Sequence, residues 1–348
     1  MGPKHLQHRV PPTQRIDQVD QSIIDHLKQD AGATNRALAA QLGVAEQTIA
    51  ARIRRLEGAN LLRVLALVDA KVVGYRLFLM VGVQVAGRSP DEVATEVLAF
   101  PFVTAVSSCL GGFELIVSLY ARDEQDLYDV LERKIGAIRG VEDLESFLVL
   151  ERIHHRVDWA VIDRLEDLRL PSVDGEPIDG LDREILKHLQ EDARTSLREV
   201  GRRLERSEGT IRARVRRLTE TGLCRIQVVT DVSIGPGAVG AVLVLKTRRG
   251  TVQRVAAEIA KAPEAGFVGI TLGRFDVLAV VSAPGRDALS RLMFERIALI
   301  QGVQRTEAWE LLETYKHDFR VVDLASASAA PRAARTQRRA RHPSRART

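Results

Sequence analysis

The sequence predicts an α+β protein built as a tandem duplication, in which a helical segment and a mixed helix–strand segment each occur twice. Three observations predict it. The run Glu46-Gln47-Thr48-Ile49-Ala50-Ala51-Arg52-Ile53-Arg54-Arg55-Leu56 returns as Glu208-Gly209-Thr210-Ile211-Arg212-Ala213-Arg214-Val215-Arg216-Arg217-Leu218, at an offset of 162 residues. The same offset, with no insertion or deletion, matches Asp17 to Asp179, Asp20 to Asp182, Gly140-Val141 to Gly302-Val303, Glu151 to Glu313 and His155 to His317. Each copy then moves from helical periodicity to the alternation of strands. A register held this long marks an internal repeat.

Residues 1–15 read as a flexible arm and 16–62 as the first helical domain. Asp17 can cap a helix through Ile23, Ile24 and Leu27, with Asp20 in its first turn favouring the positive helix end. Ala31-Gly32-Ala33 breaks the pattern, and Thr34 caps a second helix with Leu38 and Leu42 inward. Gly43-Val44-Ala45 makes a tight turn into the third helix, where Ile49, Ile53 and Leu56 recur at i, i+4, i+7. Three helices with a glycine turn before the last describe a helix-turn-helix. Leu61–Asp69 alternates and is rich in branched residues; it reads as a strand able to form a wing, which makes the domain a winged helix-turn-helix.

Residues 63–156 change character. Leu77–Val85 is a strand, Pro90–Ala99 a helix, Val103–Leu110 a strand, Phe113–Tyr120 a strand, Glu124–Ile138 a helix and Leu144–Ile153 a strand. This βαββαβ order is the ferredoxin-like sandwich. Its helices cover one sheet face, so the other, assigned Leu79, Val81 and Val83, needs a second sheet against it. Asp158–Gly180 reads as a helical start and then a linker, centred on 157–177. The programme repeats as a helix-turn-helix at 178–224 and a sandwich at 225–320. In the second copy Ser196 and Glu199 have the spacing of a capping box, and Ser207 caps the arginine helix where the first copy has Ala45. Conversely, the turn glycine Gly43 becomes Glu205.

Composition excludes several classes. No apolar run approaches the ~18 residues of a membrane span, and MGPKHLQHRVPPTQR lacks the apolar core of a signal peptide, so a cytoplasmic protein is expected. Cys109 and Cys224 occupy non-matching positions and suggest neither a disulfide nor a metal cage. The net charge of +5 comes from the tail: residues 331–348 hold seven arginines and no acid, which leaves the remainder at −2. The tail, 321–348, reads as disordered. DNA binding must therefore be argued from local clusters.

A helix-turn-helix ending in T-x-x-x-R-x-x-R-L, a strand, then βαββαβ with a Gly-x-aromatic-acid corner resembles the Lrp/AsnC family of transcriptional regulators. The likeness covers about 16–156 and 178–319. It implies sequence-specific binding to double-stranded DNA, pairing through the sandwiches, assembly into homo-oligomers, and a small effector, often an amino acid. Family members usually carry one unit per chain, so this chain looks like a covalent version of their dimer. The resemblance places Thr48, Arg52, Arg54 and Arg55, and Thr210, Arg214, Arg216 and Arg217, on the recognition helices. Gln47, Ala51 and Arg54, and Gly209, Arg212 and Arg216, are expected to approach bases; Arg52 and Arg55 are expected to clamp phosphates or pair with acids such as Glu57. Because Gln47 faces Gly209 and Ala50 faces Arg212 across the repeat, an asymmetric operator is expected. An ordinary solvated arginine face is the alternative reading of these helices.

The resemblance assigns effector binding to Gly111-Gly112-Phe113-Glu114 and Gly273-Arg274-Phe275-Asp276. Glycine lets backbone amides approach a carboxylate, and the acid can accept from an ammonium group. A β-turn that needs glycine for its backbone angles is the plainer explanation. The second copy keeps the family-like aspartate, so the first is expected to bind less readily. Tandem proteins of the sirohaem decarboxylase type share this architecture; the strand pairs 104–119 and 266–281 contain no histidine, which argues against acid–base chemistry there. His155 and His317, just past the last strands, are expected to be surface or interface residues. An effector-independent architectural protein using the arginine tail is a third class. The expectation is a regulator, not an enzyme, with no metal or cofactor.

Overall fold

The computed structural model describes residues 16–160, 178–231 and 238–322; the arm 1–15, the linker from 161 to 177 and the tail from 323 lie outside the described residues. The first half runs α1 (Gln18–Gln29), α2 (Asn35–Leu42), α3 (Glu46–Gly58), β1 (Leu62–Asp69), β2 (Leu77–Val85), α4 (Pro90–Leu98), β3 (Val103–Leu110), β4 (Leu115–Ala121), α5 (Glu124–Tyr128), β5 (Val141–His155) and β6 (Trp159–Ala160). The second half repeats it as α6 (Gly180–Glu191), α7 (Leu197–Arg203), α8 (Glu208–Glu220), β7 (Cys224–Asp231), β8 (Val239–Thr247), α9 (Val252–Ile259), β9 (Ala265–Leu272), β10 (Val277–Ala283), α10 (Arg286–Arg291), β11 (Val303–His317) and β12 (Val321–Val322). Both α5 and α10 widen into a π-helical turn, to Ile135 and Ile297.

Helix ends follow the local chemistry. Asp17 and Asp20 form a reciprocal capping box at α1, as Asp179 and Asp182 do at α6. Thr34 caps α2, and Gly43 ends it at φ 68°. The box expected at α7 is only half made. Ser196 accepts from the Glu199 amide at 3.2 Å, but the Glu199 carboxylate is drawn to Arg202 at 2.7 Å and Arg203 at 2.9 Å. Two guanidinium donors outcompete one backbone amide.

Each half makes a four-stranded antiparallel sheet, β5-β2-β4-β3 and β11-β8-β10-β9. The two then join edge to edge. Strand β5 pairs with β9 from Leu148↔Leu272 to His155↔Phe267, and β11 with β3 from Glu310↔Leu110 to His317↔Ala105. The result is a closed eight-stranded barrel that leaves no free sheet edge. The second sheet does bury the first, within one chain, but the assignment of faces is reversed. In the second half Ala241, Leu243 and Leu245 share a core with Val255, Ile259 and Leu292 of the helical layer. Their counterparts Leu79, Val81 and Val83 therefore face helices, and by strand alternation Phe78, Met80 and Gly82 face the barrel interior. Phe78 stands 5.8 Å from Phe267 across it.

The strand read as a wing finds a different partner. β1 pairs antiparallel with β7, from Leu62↔Thr230 to Val68↔Cys224. At the edges β12 runs parallel to β1 and β6 parallel to β7, so the end of each half completes the other half's strand. Residues 157–160 and 321–322, assigned from sequence to linker and tail, thus belong to the fold. The helical start expected at Asp158 is instead the approach to β6. Both helix-turn-helix domains stand on this single four-stranded sheet, which ties their separation to backbone hydrogen bonds.

Candidate DNA interface and effector corners

The third helix of each helical domain is held by its arginines, not freed by them. Ile49, Ile53 and Leu56 are buried under α3. On the flank, Arg52 donates to Asp17 at 2.6 Å and Asp20 at 2.9 Å, and Arg55 donates to Asp20, whose side chain is wholly buried. The second half repeats the clamp: Arg214 reaches Asp179 and Asp182, and Arg217 reaches Asp182. The hydrogen bond from Arg52, helped by the Asp20 amide, pulls the Asp17 carboxyl down to about 2. The Asp182 amide and then Arg214 lower Asp179 likewise. Arg52, Arg55, Arg214 and Arg217 therefore tie the third helix to α1 or α6 through acids, the second of the two expected roles, with Asp17, Asp20, Asp179 and Asp182 as the partners. Glu57 is not their partner; burial and the nearby Asp192 push its carboxyl up.

The outward face of each third helix is open to solvent. Gln47, Thr48, Ala51 and Arg54 are exposed, as are Gly209, Thr210, Arg212, Ala213 and Arg216. The halves differ in how their cations are used. Arg54 has no ion-pair partner among the described residues. Arg212 pairs with Glu208, and Arg216 with Glu220 at 2.8 Å, both one helical turn away. In the first half the corresponding positions are Glu46 with Ala50, and Arg54 with Gly58, so neither pair can form. Thr210 shares its hydroxyl with the cap Ser207 at 2.9 Å.

The glycine corners lie between β3 and β4 and between β9 and β10. A Cβ on Gly111 (φ 143°) would sit 2.8 Å from Trp309, and one on Gly112 2.9 Å from the same indole. A Cβ on Gly273 (φ 154°) would meet the Ser146 carbonyl at 3.1 Å and Phe147 at 3.3 Å, a looser fit. Phe113 and Phe275 are buried, joining Phe147 and Trp309 in an aromatic cluster with Phe113–Trp309 centroids 5.1 Å apart. Trp309 and Phe147 are equivalent positions of the repeat. The glycines and Glu114 stay at the surface. Arg274 pairs with Glu145 at 3.0 Å and lies over the Phe275 ring.

The two corner acids are differently occupied. Asp276 accepts from the Lys246 ammonium at 2.8 Å and the Thr247 amide at 2.7 Å. Burial alone would raise its carboxyl, but these donors leave it below the ordinary range. Glu114 accepts from the Val85 amide at 2.9 Å, and the position equivalent to Lys246 is the neutral Gln84. Asp276 thus already holds an ammonium from its own chain. At the first corner Glu114 accepts from a backbone amide and has no lysine at the position equivalent to Lys246.

His155 and His317 also depart from expectation. They end β5 and β11 and line the barrel interior, His155 with 2% of its surface exposed. Their matched positions were visible in the sequence; their inward orientation was not, because each follows bulges that shift the alternation.

The AsnC-type helix-turn-helix domain matches residues 16–57 and 178–219, and the Lrp/AsnC ligand binding domain matches 78–158 and 240–321. An uncharacterised HTH-type transcriptional regulator of Pyrococcus horikoshii is 36% identical over 144 residues, which are 41% of this chain and 90% of that protein. The HTH-type transcriptional regulator LrpA of the same organism is 30% identical over 139 residues, 40% of this chain and 99% of the relative. Over nearly its whole length the fold matches the crystal structure of the siroheme decarboxylase NirDL in complex with an iron-uroporphyrin III analogue. The TM-score is 0.61 at 18% identity, over 88% of this chain and 94% of that one.

Proposed function

The chain belongs to the Lrp/AsnC family of transcriptional regulators, with its DNA-binding and ligand-binding domains present twice, and we propose that it is a one-chain regulator that reads an asymmetric operator. The observation that carries this reading is the β1–β7 pairing, which mounts both helix-turn-helix domains on one sheet. Two recognition helices at a fixed separation suit two half-sites on one face of DNA. Their outward residues differ, Gln47 and an unpaired Arg54 against Gly209 and the paired Arg212 and Arg216. The half-sites should differ in sequence, with the first helix contributing more base contact.

The effector we propose is a small amino acid held at the first corner, its ammonium on Glu114 and its carboxylate near the Gly111 and Gly112 amides. Leu110, Leu150, Leu272 and Leu312 are each at least 60% exposed along the outer barrel seams, and they support assembly between chains beside these corners. Binding there would favour one assembly over another, which is how a ligand shifts DNA affinity.

The decarboxylase reading has the shared tandem fold in its favour. Against it stands the interior of this barrel, where Phe267, Phe319 and Trp159 close the space between the sheets to about 50 Å³. A tetrapyrrole does not fit there, since cofactor sites run to roughly 300–1,000 Å³. The experiment is genome-wide mapping of bound sites followed by footprinting of the strongest, with and without amino acids. An asymmetric footprint that responds to one amino acid supports the proposal. A symmetric inverted repeat removes the asymmetry, and tail-dependent, sequence-independent binding replaces the regulator with an architectural protein.

A further inference from the structure

Between the two sheets lies a partly enclosed cavity of about 50 Å³. Met80, Ile116, Val242 and Val280 give it apolar walls; His155 and His317 give it two imidazoles from equivalent positions of the repeat, and Ser107 and Ser118 two hydroxyls. The surrounding charges do not balance. Asp158 is taken by Arg156 at 2.9 Å and Lys28 at 3.0 Å, and Asp318 by Arg320 at 2.8 Å. Arg152, three residues before His155 on β5, has no carboxylate partner among the described residues. Its guanidinium lies 4.3 Å from the Phe78 centroid and donates to the Tyr120 hydroxyl at 2.9 Å, while Nη1 is buried with no hydrogen-bond partner. Phe78 itself abuts Phe267 and Phe319 of the cavity wall.

An arginine with no carboxylate partner among the described residues, stacked behind Phe78 yet within electrostatic reach of His155, next to a largely apolar cavity that holds two imidazoles, is a setting for a weak acid. We propose that the cavity is a second ligand site, separate from the glycine corners, for a short-chain monocarboxylate of acetate-to-butyrate size. The carboxylate lies against His155 and His317, within electrostatic reach of Arg152 beyond Phe78, and the hydrocarbon against Met80, Ile116, Val242 and Val280. A volume of this order accepts a few waters or one very small molecule, and excludes amino acids with bulky side chains. Empty, His155 is held neutral by burial and then by Arg152, His317 and His154. The other charged groups around the pair are Arg156, Asp158, Lys316, Asp318 and Arg320. An entering anion reverses the balance, so one proton from solvent is taken up onto an imidazole with each carboxylate bound. Affinity therefore rises as pH falls.

The site is also placed to communicate. Arg156 and Trp159 lead straight into β6, and Phe319 into β12, the two strands that edge the sheet under the DNA-reading helices.

The test is calorimetric titration of acetate, propionate and butyrate into the full chain at about pH 6 and about pH 8, in two buffers of different ionisation enthalpy. One saturable site per chain is expected, tightening by up to about tenfold per pH unit, the limit for one linked proton. Val280→Phe, which fills the cavity, and Arg152→Gln, which removes the cation, should each abolish it; Glu114→Gln, at the glycine corner, should leave it unchanged. Thermal melts of both cavity variants establish that they fold, and Ser118→Val offers a milder filling should Val280→Phe not. No saturable uptake in the native chain, or uptake that survives in a folded Val280→Phe or Ser118→Val chain, overturns the proposal. Loss in Glu114→Gln would move the site to the corner and overturn it equally. Since no arm involves DNA, these outcomes are independent of the regulator reading.

Discussion

The two halves superimpose in register but hold their structure with different residues. At the end of the first half Arg156 binds Asp158; at the end of the second Asp318 binds Arg320, the same ion pair with its order exchanged. The partner beyond it changes to suit. Asp158 meets Lys28, and Arg320 meets the neutral Gln190, which occupies the position equivalent to Lys28. Backbone turns show the same exchange. Gly43 and Asn60 adopt left-handed angles in the first half, Glu205 and Gly222 in the second, so each half has one glycine and one substitute at equivalent places. After duplication the interactions that define the fold have been kept, while charge and glycine have moved among the positions that can supply them. Where no fold interaction is at stake, on the outer faces of α3 and α8 and at the corner acids, the halves have diverged in what they leave free.

That comparison can be broken first at the arginine clamp, which the two halves share. Asp20→Ala and Asp182→Ala each leave two guanidinium groups without their buried acceptor. Removing one partner of a buried ion pair costs roughly 3–5 kcal/mol; the lower end applies here because the arginines retain some water. Urea unfolding of both variants should show equal losses, and a markedly smaller loss for Asp182→Ala would mean that the second clamp is vestigial.

The outer faces should then behave unequally. Arg54→Ala is expected to weaken specific DNA binding by about 1–3 kcal/mol, the range for a well-placed base contact. Arg216→Ala should cost less, because Glu220 already engages that side chain. Titration of one operator with both variants decides it, and equal effects would erase the proposed asymmetry. A third prediction concerns pH. Burial and Arg152 lower the pKa of His155 in the folded chain, so the unfolded chain takes up a proton first as pH drops. The stability from the neutral imidazole is present above about pH 6.5 and is lost below it, by at most about 1.4 kcal/mol per pH unit for one proton. Melting temperatures between about pH 5 and pH 8 should flatten in His155→Gln.

Much of this fold was legible because it is written twice. Capping acids, the i, i+4, i+7 stripe of α3 and the βαββαβ order leave local signals, and the repeat confirms each of them. What stayed hidden depended on pairing between halves. Nothing in the alternation of β5 indicates that its far end joins β9, and nothing in Val321-Val322 indicates that it completes β1. The faces of β2 were misassigned because both are apolar: Phe78 and Met80 alternate with Leu79 and Val81, so periodicity cannot tell helix side from barrel side. At the site, Arg52 meets Asp17 and Asp20 more than 30 residues away, a distance at which spacing carries no information. The Arg212–Glu208 and Arg216–Glu220 pairs, by contrast, stand at i, i+4 and were readable, though the arginines were counted only as cations. Lys246 escaped notice because its link to Asp276 crosses from β8 to the corner after β9.

The smallest predicted effect sharpens the comparison most directly, because it tests whether exchanged residues are equivalent. Glu205 sits at φ 53° where the first half has Gly43 at φ 68°. A residue with a Cβ pays roughly 1–2 kcal/mol for the left-handed region, while glycine brings extra freedom to the unfolded chain that offsets roughly 0.4–1 kcal/mol. Glu205→Gly should therefore stabilise the chain, by about 0.5–1 kcal/mol. Asn60→Gly, opposite Gly222, should change less, because asparagine tolerates this conformation better than glutamate does. Chemical denaturation of the two single variants measures both. If Asn60→Gly gains as much as Glu205→Gly, the side chain at this turn is irrelevant and backbone strain alone sets its cost. If Glu205→Gly is neutral or destabilising, the Glu205 side chain makes a contribution that the first half does without.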